Sequence, residues 1–216
     1  MKKVGVIHTS AVSLENLTSL FREILPEVEV VNIIDDSLLN EVKKNNGITA
    51  SIISRMCTYV QKMDELNVDL ILNQCSSVGE AFDIATKCSV TKALKIDWPM
   101  AEEAVSLGNE IAIIATVEST VKPSCNLVRK AAEVQGKDVV VKEYLVANAL
   151  DVLMKEKNIE KHNQLVLEAI NRAIEENDVV VLAQGSMDAL LPYLGDMQKP
   201  VLTSPRKAVL RIKGML

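Results

Sequence analysis

The chain alternates between short, uniformly apolar runs and longer segments whose apolar positions recur every three or four residues. "KKVGVIH", "VDLILNQ", "EIAIIAT" and "DVVVLAQ" read as strands covered on both faces. Leu14, Leu17, Phe21 and Leu25 form a helical stripe that Pro26 ends. Ile52, Met56, Tyr59, Val60 and Met63 form a second stripe within residues 48–66. "EVEVVNIID", "ALKID", "DVVVKEYLV" and "PVLTS" read as further strands, with an acidic loop between the first of these and Gly47. Helices are predicted over "VGEAFDIATKC", "MAEEAVSLG" to Gly108, "KPSCNLVRKAAEVQG" to Gly136, residues 149–176, "MDALLPYLG", and from Pro205 onward. Strands alternating with helices predict an α/β fold with parallel sheets flanked by helices.

The pattern repeats. "GVIHTSAVS" aligns with "AIIATVEST", setting Thr9 on Thr116, and "LNQCSS" aligns with "LAQGSM" about half a chain apart. Two pseudo-symmetric α/β lobes follow. Residues 1–99 plus 200–216 form the first, and residues 100–199 the second. The last strand and helix are assigned to the first lobe because the chain continues after the second repeat is complete. Ligands of open parallel sheets sit beyond the carboxyl ends of the strands, so the expected site is a cleft between the lobes, lined by Thr9, Cys75, Thr116 and Ser186.

Composition narrows the classes. Of 216 residues, 48% are hydrophobic, 25% charged and 3% aromatic, with a formal net charge of −5. That balance suits a globular protein and excludes an electrostatic nucleic-acid footprint or a base-stacking platform. No apolar run reaches the length of a membrane span, so a cytoplasmic protein without membrane or nucleic-acid partners is expected. Cys57, Cys75, Cys88 and Cys125 form no C-x-x-C pair, and His8 and His162 supply no metal-site spacing, so no metal is expected. Without a glycine-rich phosphate loop, no nucleotide cofactor is indicated, and without G-x-S-x-G there is no hydrolase elbow.

Cys75 is the leading candidate for chemistry. It follows a strand and precedes a predicted helix, where unpaired backbone N–H groups favour a thiolate and can hold a substrate carboxylate, with Ser76 and Ser77 adding hydroxyls. The alternative is a small buried residue at a strand end, a common fate for free cysteine, and its place in the repeat tips the balance toward function. Thr9, Ser10, Thr116, Ser119 and Thr120 sit at strand-to-helix turns, where each can equally be a helix cap. Their matching places in both repeats favour carboxylate binding. His8 is a candidate general acid or base, although its repeat counterpart is Ala115. Cys57 and Cys88 read as packing residues, Cys125 as a minor candidate, and His162 as a surface residue.

"GVIHTS", "NQCSS", "IDWPMAEEAV", "IAIIATVEST" and "VVVLAQGSM" together resemble the aspartate/glutamate/hydantoin racemase superfamily across nearly the whole chain. The resemblance implies a cofactor-independent isomerase with its site between two lobes, acting on a small carboxylate-bearing substrate, in a family where dimers are common. It implies two cysteines, one per lobe, on opposite faces of the substrate carbon. Cys75 matches the first, Gly185 stands at the second, and Ser186 lies beside it. With one cysteine present, three readings follow: a racemase or epimerase whose second group is Ser186, His8 or water; a one-cysteine decarboxylase of a malonate-type acid; or an inactive small-carboxylate-binding protein.

Overall fold

The computed structural model describes residues 1–195 and 197–216, with the backbone alone of residue 154. Among the described residues, eight strands form two four-stranded parallel sheets. The first contains β1 (Lys3–His8), β2 (Glu29–Ile34), β3 (Leu70–Asn73) and β4 (Lys92–Lys95), in the order β2-β1-β3-β4. The second contains β5 (Glu110–Ala115), β6 (Val140–Leu145), β7 (Val179–Leu182) and β8 (Val201–Leu202), in the order β6-β5-β7-β8. Inner strands β3 and β7 are buried at every position, as a sheet covered on both faces requires. Edge strands β2 and β6 alternate between exposed and half-buried residues in the same pattern.

In the first unit, α1 (Leu14–Ile24) covers one face of the sheet. On the opposite face, α2 (Ser37–Asn45), α3 (Ala50–Glu65) and α4 (Gly79–Ala85) bury Leu38, Ile52, Met56, Met63 and Phe82 against Ile7 and Ile71. α3 is opened by Thr49, whose side chain accepts the Ile52 N–H, and its predicted stripe of Ile52, Met56, Val60 and Met63 is buried. α2 was expected as an acidic loop. Its buried residues, Leu38 and Val42, amount to a single i,i+4 pair, too little periodicity to reveal a helix.

In the second unit, α5 (Trp98–Leu107) and α6 (Glu118–Gln135) pack on one face of the sheet. α7 (Ala147–Asp151) and α8 (Ile159–Glu176) cover the other, where Ala149, Val166, Ile170 and Ala173 meet Ala112, Ile114, Val180 and Leu182. α6 begins four residues earlier than "KPSCNL" suggested and carries Pro123 within it. The predicted helix at "MDALLPYLG" is a 3-10 segment, Gly185–Tyr193. Gly136 ends α6 in the left-handed region at φ 64°, the conformation glycine adopts without strain.

The two compact units are Met1–Ile96 with Pro205–Leu216, and Asp97–Ser204. Only the final helix α9 (Pro205–Met215) returns to the first, where it packs against α1. Assigning residues 200–204 to the first lobe is corrected here: β8 pairs with β7, Val180↔Val201 and Val181↔Leu202, so that strand completes the second sheet. Residues 97–99 also belong with the second unit, since Trp98 packs into its core.

The units repeat each other down to single hydrogen bonds. At the start of the first sheet the carboxylate of Asp69 accepts the Lys3 N–H at 2.8 Å, and the Asp69 N–H donates to the Lys3 carbonyl at 2.7 Å. In the second, Asp178 accepts the N–H groups of Asn109 and Glu110, each at 2.9 Å, and its own N–H donates to the Glu110 carbonyl at 2.8 Å. Gly108 makes room for this clamp: a Cβ there would lie 2.3 Å from the Asp178 Cβ.

Candidate active site

At the carboxyl end of the first sheet, β3 runs out at Asn73, whose side chain is buried. Its Nδ2 donates to the Cys75 carbonyl at 2.9 Å, and its Oδ1 accepts the Cys75 N–H at 3.4 Å. One side chain thereby fixes the backbone of the thiol-bearing residue. Cys75 has φ −128° and ψ 119°, and a 3-10 turn, Ser76–Val78, separates it from α4. The helix expected over "VGEAFDIATKC" begins at Gly79, and Ser76–Val78 ahead of it has the tighter 3-10 hydrogen-bonding pattern. The half-buried Cys75 packs against the cluster that contains Ile7, Ile71 and Val78.

Strand alternation sorts the neighbouring candidates. Thr9 is buried directly past the end of β1, and Ile7 lies on the face on which Cys75 packs. Gln74 takes the opposite face, where its Nε2 donates to Ser13 Oγ at 2.5 Å. Ser10 is half-buried and its hydroxyl accepts the Val12 N–H at 3.2 Å. Ser76 is half-buried and Ser77 buried.

His8 also lies on the face opposite Ile7, so β1 turns it away from Cys75. Its ring is fully buried, Nε2 donates to Asn32 Oδ1 at 2.8 Å, and Nδ1 has no hydrogen-bond partner among the described residues. Burial holds the imidazole below its ordinary pKa, with the Asn32 hydrogen bond pulling the other way. This is a neutral structural histidine.

At the corresponding end of the second sheet, Gln184 and Thr116 are joined through both ends of the amide. Gln184 Oε1 accepts the Thr116 N–H at 2.7 Å, and Nε2 donates to Thr116 Oγ1 at 3.1 Å. Gly185 begins the 3-10 segment, Ser186 is exposed, and Thr120 is buried in the first turn of α6.

The ladders decide which second-unit residue corresponds to Cys75. Ile7 pairs with Asn73 in the first sheet, and Ile114 pairs with Leu182 in the second. Counting two residues past each strand end gives Cys75 and Gln184. The turns agree: Val78 N–H donates to the Cys75 carbonyl, and Met187 N–H to the Gln184 carbonyl. So do the backbones, with Gln184 at φ −129° and ψ 132°. Gly185 is therefore not the counterpart of Cys75, as the letter-for-letter alignment had it. It corresponds to Ser76, and Gln184 takes the cysteine position.

The remaining thiols are set apart. Cys57 and Cys88 are exposed, contrary to their reading as packing residues: Cys57 lies off the buried stripe of α3, and Cys88 ends a 3-10 turn, Thr86–Cys88, that buries no residue. Cys125 lies in the core of the second unit, where burial, then the nearby Glu143 carboxylate, push its thiol up to about 12. Among the described residues, no group of three or more His, Cys, Asp or Glu is placed to hold a metal ion, and no helix is long and apolar enough to cross a membrane.

The family model described as Asp/Glu/hydantoin racemase matches residues 4–211. The fold is similar to that of allantoin racemase from Klebsiella pneumoniae, with TM-score 0.73 and 16% identity over 100% of this chain and 87% of the other. It is also similar to aspartate racemase from Picrophilus torridus, with TM-score 0.73 and 14% identity over 100% and 94%. For a glutamate racemase from Bacillus anthracis the TM-score is 0.70 and identity 16%, over 100% and 81%. No curated protein matches the chain by sequence.

Proposed function

Because the chain belongs to the Asp/Glu/hydantoin racemase family, we propose that it is an isomerase-type enzyme that moves a proton at the carbon α to a carboxylate or carbonyl of a small substrate, with Cys75 as its acid and base. The observation that carries this reading is the Asn73 bracket. A buried amide that bonds both backbone groups of residue 75 holds the thiol's attachment point in place, which suits a positioned acid–base group. A positioned thiolate takes the α-proton, the C–H electron pair moves into the substrate carboxylate or carbonyl, and water returns a proton to the opposite face of the carbon; in the reverse direction the Cys75 thiol is the donor. Donors around the strand ends, Thr9 and Ser76 among them, hold the substrate's anionic group as charge accumulates on it.

A second reading, decarboxylation of a malonate-type acid, is favoured by one feature. Such a reaction needs one acid to protonate the enolate left when carbon dioxide departs, and the second unit offers an amide where the first offers a thiol.

The test is isotope exchange in deuterium oxide with both enantiomers of aspartate, glutamate and allantoin, beside carbon dioxide release from an unsymmetrically disubstituted malonate. The isomerase reading expects Cys75-dependent deuterium at the α-carbon, lowered by about a hundredfold or more in Cys75→Ala. Exchange that persists in Cys75→Ala overturns it. Carbon dioxide release without exchange selects the second reading.

A further inference from the structure

We propose that Arg55 is a positioning residue for Cys75: by tying α2 to α3 it fixes α2 against the turn that follows the thiol. The inference lies within the first unit, rests on the Cys75 reading above, and names a second support for the thiol's loop besides Asn73.

α2 is weakly anchored by its own sequence. It is nine residues long and buries only Leu38 and Val42, and a helix so short depends on tertiary contacts for its stability. Arg55, on α3, supplies polar contacts at two points. Its Nη1 donates to Asp35 Oδ2 at 2.9 Å and to Ser37 Oγ at 2.6 Å, at the start of α2, and its Nη2 donates to Glu41 one turn further on. Asp35 also accepts the Ser37 N–H at 3.0 Å and the Tyr59 hydroxyl at 2.6 Å. Burial, then the Asp35 carboxylate, push Tyr59 up to about 12, so this hydroxyl remains a donor. Thr49, which opens α3, donates its hydroxyl to Glu41. One cation thus stands between two partly buried carboxylates, and its planar fork meets both at once, which an ammonium cannot do.

The contacts continue from α2 to Cys75. α2 packs against the 3-10 turn Ser76–Val78. Leu38 and Val42 share one buried cluster with Val78, and Cys75 packs on that cluster. The Val78 N–H donates to the Cys75 carbonyl at 3.3 Å, the same carbonyl that Asn73 holds. A shift of α2 therefore passes through Val78 to the residue that bears the thiol. Without Arg55, Asp35 and Glu41 lose the charge that balances them, and α2 is left to its two buried side chains.

The experiment measures kcat and KM for Cys75-dependent α-deuterium uptake by both enantiomers of aspartate, glutamate and allantoin. Beside it, peptide mapping follows the rate at which iodoacetamide alkylates Cys75 relative to exposed Cys88. Wild type is compared with Arg55→Met, Arg55→Lys, Glu41→Gln and Asp64→Ala, each checked for a cooperative melt. Asp64 is the stability control: it accepts the hydroxyls of Ser89 and Thr91 at 2.7 and 2.6 Å in the same unit and is not part of the Arg55 arrangement. Arg55→Met is expected to lower kcat by about ten- to a hundredfold through misplacement of the thiol, while KM moves by less than about threefold. Cys75 alkylation relative to Cys88 is expected to rise by about threefold or more as the turn loosens. Arg55→Lys should fall between wild type and Arg55→Met, and Glu41→Gln should lower kcat by a smaller factor. Asp64→Ala is expected to lower the melting temperature and keep kcat within about twofold of wild type. If Arg55→Met does not fold, Arg55→Lys and Glu41→Gln carry the test. Unchanged kcat in the folded Arg55 and Glu41 variants overturns the inference and leaves the Cys75 reading intact. So does an equal loss of kcat in Asp64→Ala at equal destabilisation. If wild type shows no Cys75-dependent uptake on any probe, the Cys75 reading falls and alkylation decides alone: a raised Cys75 to Cys88 ratio in the Arg55 variants keeps Arg55 as the residue that places Cys75, and an unchanged ratio removes it.

Discussion

Asn73 holds Cys75 by its backbone: Nδ2 donates to the Cys75 carbonyl at 2.9 Å while Oδ1 accepts the Cys75 N–H at 3.4 Å. The thiol's position is thus set by a neighbour two residues away that is almost completely buried. Replacing that neighbour separates placing the thiol from supplying it.

Asn73→Ala is expected to cost about 1–3 kcal/mol of stability, because the partner backbone groups lose a buried hydrogen-bonding side chain. It should also slow exchange by about a hundredfold through misplacement of Cys75. Urea unfolding and single-turnover deuterium uptake measure the two effects. An unchanged rate at reduced stability would show that Asn73 supports the fold alone.

The three thiols other than Cys75 should separate by access. Cys57 and Cys88 are exposed, whereas Cys125 is buried with its thiol pushed up to about 12. Alkylation at pH 8 followed by peptide mapping is expected to label Cys57 and Cys88 first, and Cys125 only at the rate of unfolding. Labelling of Cys125 in the native protein at the Cys57 rate would contradict its placement.

His8 should make stability sensitive to mild acid. Burial lowers its pKa in the folded protein, against the Asn32 hydrogen bond, while the unfolded ring titrates at about 6.5. The unfolded state therefore binds more protons below that pH. Stability is fully present above about 6.5, falls as pH drops from there, and levels off below the folded value. Urea midpoints at pH 7 and pH 5 are expected to differ more for wild type than for His8→Gln. An equal difference would remove His8 as the cause.

Asp178 should act at lower pH. The N–H groups of Glu110 and Asn109 hold its carboxyl below the usual carboxylate range. Its contribution is present above the unfolded pKa of about 3.9 and is lost as pH falls through the folded value. Asp178→Asn is therefore expected to lower the melting temperature at pH 7, with the difference from wild type shrinking toward pH 2. A difference constant across that range would mean the charge is not what matters.

The sheets and their repetition were legible in the sequence because strands buried on both faces leave uninterrupted apolar runs, and because Thr9 and Thr116 directly follow equivalent strands. The pairing of the two loops at the carboxyl ends of the sheets was not. "LNQCSS" and "LAQGSM" share Leu, Gln and Ser, yet the ladders shift them by one residue. A shift of one exchanges the faces of a strand, and the glutamines show it: Gln74 reaches Ser13 on the face turned from Cys75, while Gln184 reaches Thr116. Identical letters carry opposite roles. Asn73 went unremarked for a related reason, since its value lies in a contact with its own loop. Asparagine two residues before a cysteine at a strand end is a local signal that could have revealed it.

The return of α9 to the first unit affects how the protein is made. Asp97–Ser204 is contiguous, so the ribosome releases that unit whole. The first unit is finished only when Pro205–Met215 emerges behind it and covers the side of the sheet where α1 buries Leu17, Leu20 and Phe21. In the usual order the amino-terminal domain completes folding first during synthesis; here its last helix is made after the whole of the second unit. The unit that bears Cys75 is therefore the last of the two to have all of its segments synthesised.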